Sequence, residues 1–187
     1  YGKDNVNLSS LSLTEGKLSP KFDPETYAYS ATVDRGVDKV RVKFTCQNDK
    51  AKITINGKEY VSGQESDAIK LDIGANLVTV KVVAEDNKTT TTYKISVIRG
   101  DIEGKNDWIL VAGEWTFYNG YGQQVKNQWV KYDNKWYHLD INGHMEKGWL
   151  KIGDKWYFLN EYGIMQTGWL YEKGYWYYLY GDEIGRA

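Results

Sequence analysis

The eight Trp residues stand in two registers. Trp129, Trp149 and Trp169 are twenty residues apart, and Trp136, Trp156 and Trp176 keep the same interval. Tyr137, Tyr157 and Tyr177, then Leu139, Leu159 and Leu179, follow in step, as do Gly143 and Gly163, Met145 and Met165, and Gly148 and Gly168. A looser copy, with Trp108, Trp115 and Gly122, comes first, one extra residue ahead of Trp129. An aromatic face carries negative potential and sheds water readily, so paired indoles can hold an organic cation or stack on a flat sugar. They supply no nucleophile and no proton, and the chemistry they predict is binding.

Other chemistry has little to stand on. No nucleophile motif or phosphate-cradling glycine loop occurs, and His138 and His144 have no Cys or carboxylate cluster at ligand spacing, so neither a metal nor a cofactor is expected. No pair of Asp or Glu is singled out for hydrolysis. Residues 101–187 carry nine Lys and Arg against twelve Asp and Glu, the wrong balance for a phosphate backbone, so no nucleic-acid partner is expected. The chain reads as a non-enzyme.

What positions the indoles is a repeat. A short fixed period means units that cannot bury their own apolar surface and must stack on neighbours. Asp133-Asn134, Gly153-Asp154 and Lys173-Gly174 suit two-residue hairpin turns. Such a turn sets Trp149 opposite Phe158, Leu150 opposite Tyr157 and Lys151 opposite Trp156. The strand period of two then places Trp149, Lys151, Trp156 and Phe158 on one face and Leu150, Ile152, Tyr157 and Leu159 on the other. Both faces are apolar, so one of them needs cover from outside the unit. Lys131 and Lys151 fall beside Trp136 and Trp156, where their ammonium groups can sit over the rings.

The first hundred residues read differently. All eight Trp and eleven of the sixteen Tyr lie after residue 107, and the polar stretch "RGDIEGKND" at 99–107 marks the change, which predicts domains over 1–100 and 101–187. In "KVRVKFTC", Val40, Val42, Phe44 and Cys46 alternate with polar residues; "AIKLDI", "LVTVKVVAE" and "TYKISVI" repeat the pattern. Turn signals lie at Asn56-Gly57, at "IGAN" (73–76) and at "EDN" (85–87). The expectation is all-β: an antiparallel β-sandwich followed by a β-hairpin solenoid. Asp34, Asp38, Glu85 and Asp86 read as solvated turn residues, since calcium needs more converging oxygens. Cys46 continues the inward series and reads as an inert buried thiol.

A formal net charge of −1 over 187 residues names no partner. No apolar run approaches the ~20 residues of a bilayer span, which predicts a soluble chain with no membrane span. The absence of an initiator Met and of a signal-type segment is how a mature or a trimmed chain reads.

Two stretches resemble known families. "LSSLSLTEGKLSPKFDPETYAYSATV" with "IKLDIGANLVTVKVVAEDNKTTTTYKISVIR" resembles the bacterial cadherin-like β-sandwich domain over about residues 6–99. "GWLKIGDKWYFLNEYGIMQTGW" at 148–169 resembles the choline-binding or cell-wall-binding repeat of Gram-positive bacteria and their phages, over roughly residues 107–180. The resemblance implies hairpins wound into a left-handed solenoid, with ligand between neighbouring repeats, caged by two aromatics of one hairpin, one of the next and often a Met. Carried onto this sequence, the cages are Trp149 and Trp156 with Tyr178 and Met165, then Trp129 and Trp136 with Phe158 and Met145. A weaker one is Trp108 and Trp115 with His138. Trp169 and Trp176 lack a recognisable following repeat. The implied protein is secreted, held extracellularly on the cell wall by the choline of teichoic acids, with the sandwich as spacer or adhesive module. A glucan-binding module and a structural stalk without small ligand stand as alternatives.

Overall fold

The structure is a computed structural model and describes residues 2–104 and 106–181. Its described residues hold seventeen strands and no helix. The chain divides into two compact units, one of residues 1–104 with Tyr121–Gln123, the other of residues 105–120 with those from Gln124 onward.

The first unit is a two-layer sandwich. One layer is a five-stranded sheet in the order β2 (Ala28–Val33), β9 (Thr90–Arg99), β8 (Gly74–Val83), β5 (Lys52–Ile55), β6 (Lys58–Tyr60). The facing strands pair as β1 (Leu8–Leu13) with β4 (Val42–Cys46) and β3 (Lys39–Val40) with β7 (Ile69–Lys70). Leu8, Leu11, Val42 and Phe44 from these pairs meet Ile53, Val78, Val80, Tyr93, Ile95 and Val97 from the sheet in one buried cluster. Alternation made this possible, because every second residue of each strand points the same way. The Tyr93 hydroxyl crosses the layers, accepting from the Leu8 amide at 3.1 Å and donating to the Pro24 carbonyl at 2.5 Å.

Three local departures from the sequence pattern have identifiable causes. The run at 39–46 is two strands, because the Arg41 amide turns to the Thr14 hydroxyl at 2.9 Å and the partner changes there from β7 to β1. "AIKLDI" keeps only two residues of strand. Beyond them Arg99 donates to the Leu71 carbonyl at 2.9 Å, and the Asn76 side chain takes both the amide (2.8 Å) and the carbonyl (2.9 Å) of Asp72. Side chains thus occupy the bonds a ladder would use. "IGAN", expected to turn, instead opens β8 at Gly74, whose φ is 91°. One pairing, β2 with β9, is parallel; the rest of the sheet is antiparallel. The Asn56-Gly57 turn joins β5 to β6 with both φ angles positive, as its type requires.

The second unit is four hairpins: β10–β11 (Asp107–Val111, Glu114–Tyr118), β12–β13 (Gln128–Tyr132, Lys135–Leu139), β14–β15 (Gly148–Ile152, Lys155–Leu159) and β16–β17 (Gly168–Glu172, Tyr175–Leu179). The third has the expected register, with Trp149 opposite Phe158, Leu150 opposite Tyr157 and Lys151 opposite Trp156. Asp133-Asn134 and Lys173-Gly174 both take positive φ at their turns. The two later connections are each stitched locally. Asp140 Oδ1 accepts from the amides of Asn142 and His144, both at 2.9 Å, and Asn160 Oδ1 from those of Tyr162 (2.9 Å) and Ile164 (3.0 Å). Gly163, at φ 79°, passes so close to Met145 that a Cβ there would lie 2.5 Å from its sulfur. Leu139 and Leu159 are fully covered, forming the thin core under the hairpins.

Candidate functional site

Stacking in the solenoid joins opposite faces of successive hairpins. Trp108 meets Tyr137 of the next hairpin with ring centres 4.9 Å apart, Trp129 meets Tyr157 at 5.0 Å, and Trp149 meets Tyr177 at 4.8 Å, all edge to face. The residue opposite each Trp lies on its own side: His138 against Trp129 at 4.9 Å, Phe158 against Trp149 at 5.1 Å, Tyr178 against Trp169 at 5.2 Å. The two apolar faces of the second and third hairpins are therefore both used, one toward each neighbour.

Among the described residues, concavities lie at the first, second and third hairpins of this stack. The one at the third hairpin, about 470 Å³, is lined by Trp149, Trp156, Tyr177, Tyr178 and Leu179. Trp149 and Trp156 stand nearly perpendicular, 6.3 Å between ring centres at 86°, making two walls of a corner. The expected Trp149, Trp156 and Tyr178 are together here, joined by Tyr177; Met165 is not among the lining residues. The Lys151 ammonium lies 5.8 Å from the Trp156 ring centre, and Lys131 lies 5.9 Å from that of Trp136, as their register suggested.

The concavity at the first hairpin, about 250 Å³, is lined by Trp108, Trp115, Tyr137, Met145, Glu161 and Tyr162, with Lys147. It holds Tyr137 where the sequence reading set His138. His138 sits opposite Trp129 in the register, hence on the far face of its hairpin, buried with 5% exposure. Met145 likewise belongs with Trp115, not with Trp129 and Trp136. Its connection folds back on the preceding hairpin, and the Met145 amide donates to the Trp115 carbonyl at 2.9 Å. The Met165 amide does the same to Trp136 at 2.9 Å, one hairpin earlier than the Trp149 and Trp156 corner to which it was assigned. Burial pushes the Tyr137 phenol up from its ordinary pKa, which keeps this wall neutral.

The middle concavity is an open groove of about 920 Å³. Trp129 and Trp136 line it, with His138, Asp140, Glu146 and Lys151 among its polar walls. Phe158 and Met145 are absent from the lining. Trp169 and Trp176 repeat the perpendicular corner, 6.4 Å apart at 85°, and remain 70% and 66% exposed. In the sandwich, Cys46 is buried, and burial raises its thiol pKa, which disfavours a reactive thiolate. Asp34 and Asp86 cap their own turns, accepting from the amides of Gly36 and of Lys88 and Thr89.

Sequence reasoning missed Tyr137 and Tyr177 as walls, Tyr157 as the ring against Trp129, and Glu146, Glu161 and Tyr162 as neighbours. The Tyr signal was present: alternation had already put Tyr157 on the face opposite to Phe158. The three acidic and phenolic neighbours come from connections, which carry no strand period.

Comparison with known families matches three segments of the chain. Residues 8–100 match the "Cadherin-like beta sandwich domain" family, residues 146–183 the "Choline-binding repeat" family, and residues 127–145 the "Putative cell wall binding repeat" family. The chain is thus similar to a cadherin-like β-sandwich domain over residues 8–100 and to cell-wall-binding repeats of the choline-binding kind over residues 127–183. One curated relative, described as "Putative membrane protein" from Evansella cellulosilytica, is 30% identical over 99 residues, covering 53% of this chain. The chain spans 15% of that relative's length. No helix among the described residues is long and apolar enough to cross a membrane.

Among solved structures, the choline binding domain of a Streptococcus pneumoniae protein is 34% identical over 34% of this chain and 85% of its own, with TM-score 0.32. Choline binding protein F from the same species is 22% identical, covering 92% of this chain and 63% of its own, with TM-score 0.38. The modular Cpl-1 endolysin is 24% identical over 64% of this chain and 32% of its own, with TM-score 0.36.

Proposed function

We propose that the solenoid binds choline groups of a cell-wall polymer such as teichoic acid in the corners between its hairpins, and thereby holds a secreted, non-catalytic protein on the wall. The sandwich serves as spacer or adhesive module. The observation that carries this reading is the state of the third corner. Trp149 and Trp156 keep 37% and 58% exposure although the next hairpin supplies Tyr177 and Tyr178 beside them. Rings that served only as stacking core would be covered.

A quaternary ammonium has no hydrogen to donate, so aromatic faces and displaced water are what hold it. Each face contributes on the order of 0.5 to 2 kcal/mol, and three of them give roughly millimolar binding. Several such corners on one chain, meeting a polymer with many cholines, multiply that weak affinity through effective concentration.

The test is a choline titration followed by Trp fluorescence and by melting temperature, with sodium chloride at equal ionic strength as control. Ligand that binds only the folded state raises the melting temperature. Equal responses to both salts would end the choline reading. A response to glucan oligosaccharides alone would replace it with polysaccharide binding.

A further inference from the structure

The middle groove differs from its neighbours in chemistry at one equivalent pair of positions. A shared backbone bond defines them: the amide of Val125 to the Phe117 carbonyl (2.9 Å), of Glu146 to His138 (2.9 Å), and of Gln166 to Phe158 (2.8 Å). In the first repeat the pair is apolar, and both Phe117 and Val125 belong to a buried cluster. In the third it is Phe and Gln. Only in the second does it join an imidazole to a carboxylate.

That pair is built into the groove. His138 is buried, its ring edge-on to Trp129, and its Nδ1 lies 2.5 Å from Oε2 of Glu146. An ionised carboxylate only accepts, so Nδ1 carries the proton. Glu146 retains 26% side-chain exposure. Its Oε2 is held, and no described residue bonds Oε1. Two other charged groups line the groove. Asp140 has Oδ1 committed to the amides of Asn142 and His144, and the Lys151 ammonium rests near the Trp156 ring.

We propose that Glu146, held in place by His138, makes the Trp129 and Trp136 groove selective for an ammonium that carries N–H, a primary amine head group, over a quaternary one. The inference rests on the cage reading only for the role of the indoles. Aromatic faces attract both kinds of cation and barely tell them apart. A carboxylate does tell them apart: a primary ammonium can donate to Oε1 in a short charge-assisted bond, whereas methyl groups keep a quaternary nitrogen at a distance. Because His138 already fixes the carboxylate, little side-chain freedom is lost on binding.

The experiment uses the full chain with ¹⁵N-labelled indoles, titrated separately with ethanolamine and with choline, as wild type and as Glu146→Gln. Glutamine is what the next repeat carries at this position. The Trp129 and Trp136 signals should need about ten-fold more ethanolamine in Glu146→Gln, the effect of one such bond, while their choline response changes much less. The double variant His138→Phe with Glu146→Gln rebuilds the pair of the third repeat and should show the same loss while remaining folded. An unchanged ethanolamine titration in Glu146→Gln would overturn the proposal. So would an equal loss for both amines, or glucan oligosaccharides moving the same signals with the same dependence on Glu146. The Trp149 and Trp156 signals report on the cage reading separately. Their silence toward choline, beside a Glu146-dependent ethanolamine response, would remove that reading and support this one.

Discussion

Removing Trp156 should separate binding from stability, because its surroundings give it few structural duties. The indole is 58% exposed, touches Trp149 edge-on with centres 6.3 Å apart, and faces the Lys151 ammonium at 5.8 Å. One edge contact contributes about 0.5 to 1.5 kcal/mol and one exposed cation–π contact about 0.5 to 1 kcal/mol, so Trp156→Ala should destabilise by about 1 to 2.5 kcal/mol. Trp149 carries more: edge contacts to Trp156, to Phe158 at 5.1 Å and to Tyr177 at 4.8 Å. Three such contacts sum to about 1.5 to 4.5 kcal/mol, so Trp149→Ala should melt markedly lower. For the ligand both variants lose one face of the corner, about 1 to 2 kcal/mol or roughly ten-fold in affinity. Calorimetric choline titration with parallel thermal melts reads both quantities. A folded Trp156→Ala with wild-type choline affinity at this corner refutes the site. A Trp149→Ala no less stable than Trp156→Ala refutes the account of the stack.

Three other outcomes are expected. Met145→Ala should weaken choline at the Trp108 and Trp115 concavity several-fold, with Trp129 and Trp136 unaffected; indole spectra that show the reverse would mean the connection does not fold back. Burial pushes the Tyr93 phenol up to about 12, so unfolded chains ionise first and the sandwich should lose stability as pH rises from about 10 toward 12. Tyr93→Phe leaves the Leu8 amide and the Pro24 carbonyl unpaired, at about 1 to 3 kcal/mol, and should abolish that alkaline loss in urea titrations followed against pH. Finally, light proteolysis should cut first within residues 100–107, yielding a β-rich fragment that unfolds cooperatively; first cuts inside the sandwich would contradict two independently folding parts.

The hairpins were legible in the sequence because three constraints agree there: a two-residue turn, a strand period of two and a twenty-residue repeat leave one register for Trp149 and Phe158. The partners across hairpins were harder to read. Choosing between Tyr177 and Tyr178 as the cover for Trp149 requires knowing which face meets which neighbour, and stacking direction is not written in a period. The two Met residues show the same limit, since a connection can fold forward or back and the Met145 amide reveals only in three dimensions that it goes back to Trp115. In the sandwich, alternation identified Val78, Val80 and Val82 as core. It overextended the strand at Ile69 because the Arg99 and Asn76 side chains take the backbone bonds that a ladder would have used.

Each hairpin of the solenoid is its own two-stranded sheet, joined to the next by ring contacts and by a few connection bonds such as Met165 to Trp136. Force applied along such a chain meets no long ladder that must break all at once. It meets a row of small, similar fasteners in series, and the array yields by peeling one hairpin at a time. A molecule lodged in a corner touches two hairpins and so acts as a rivet, raising the load at which that joint opens. After the load falls, a released hairpin needs only its neighbour as a template to close again.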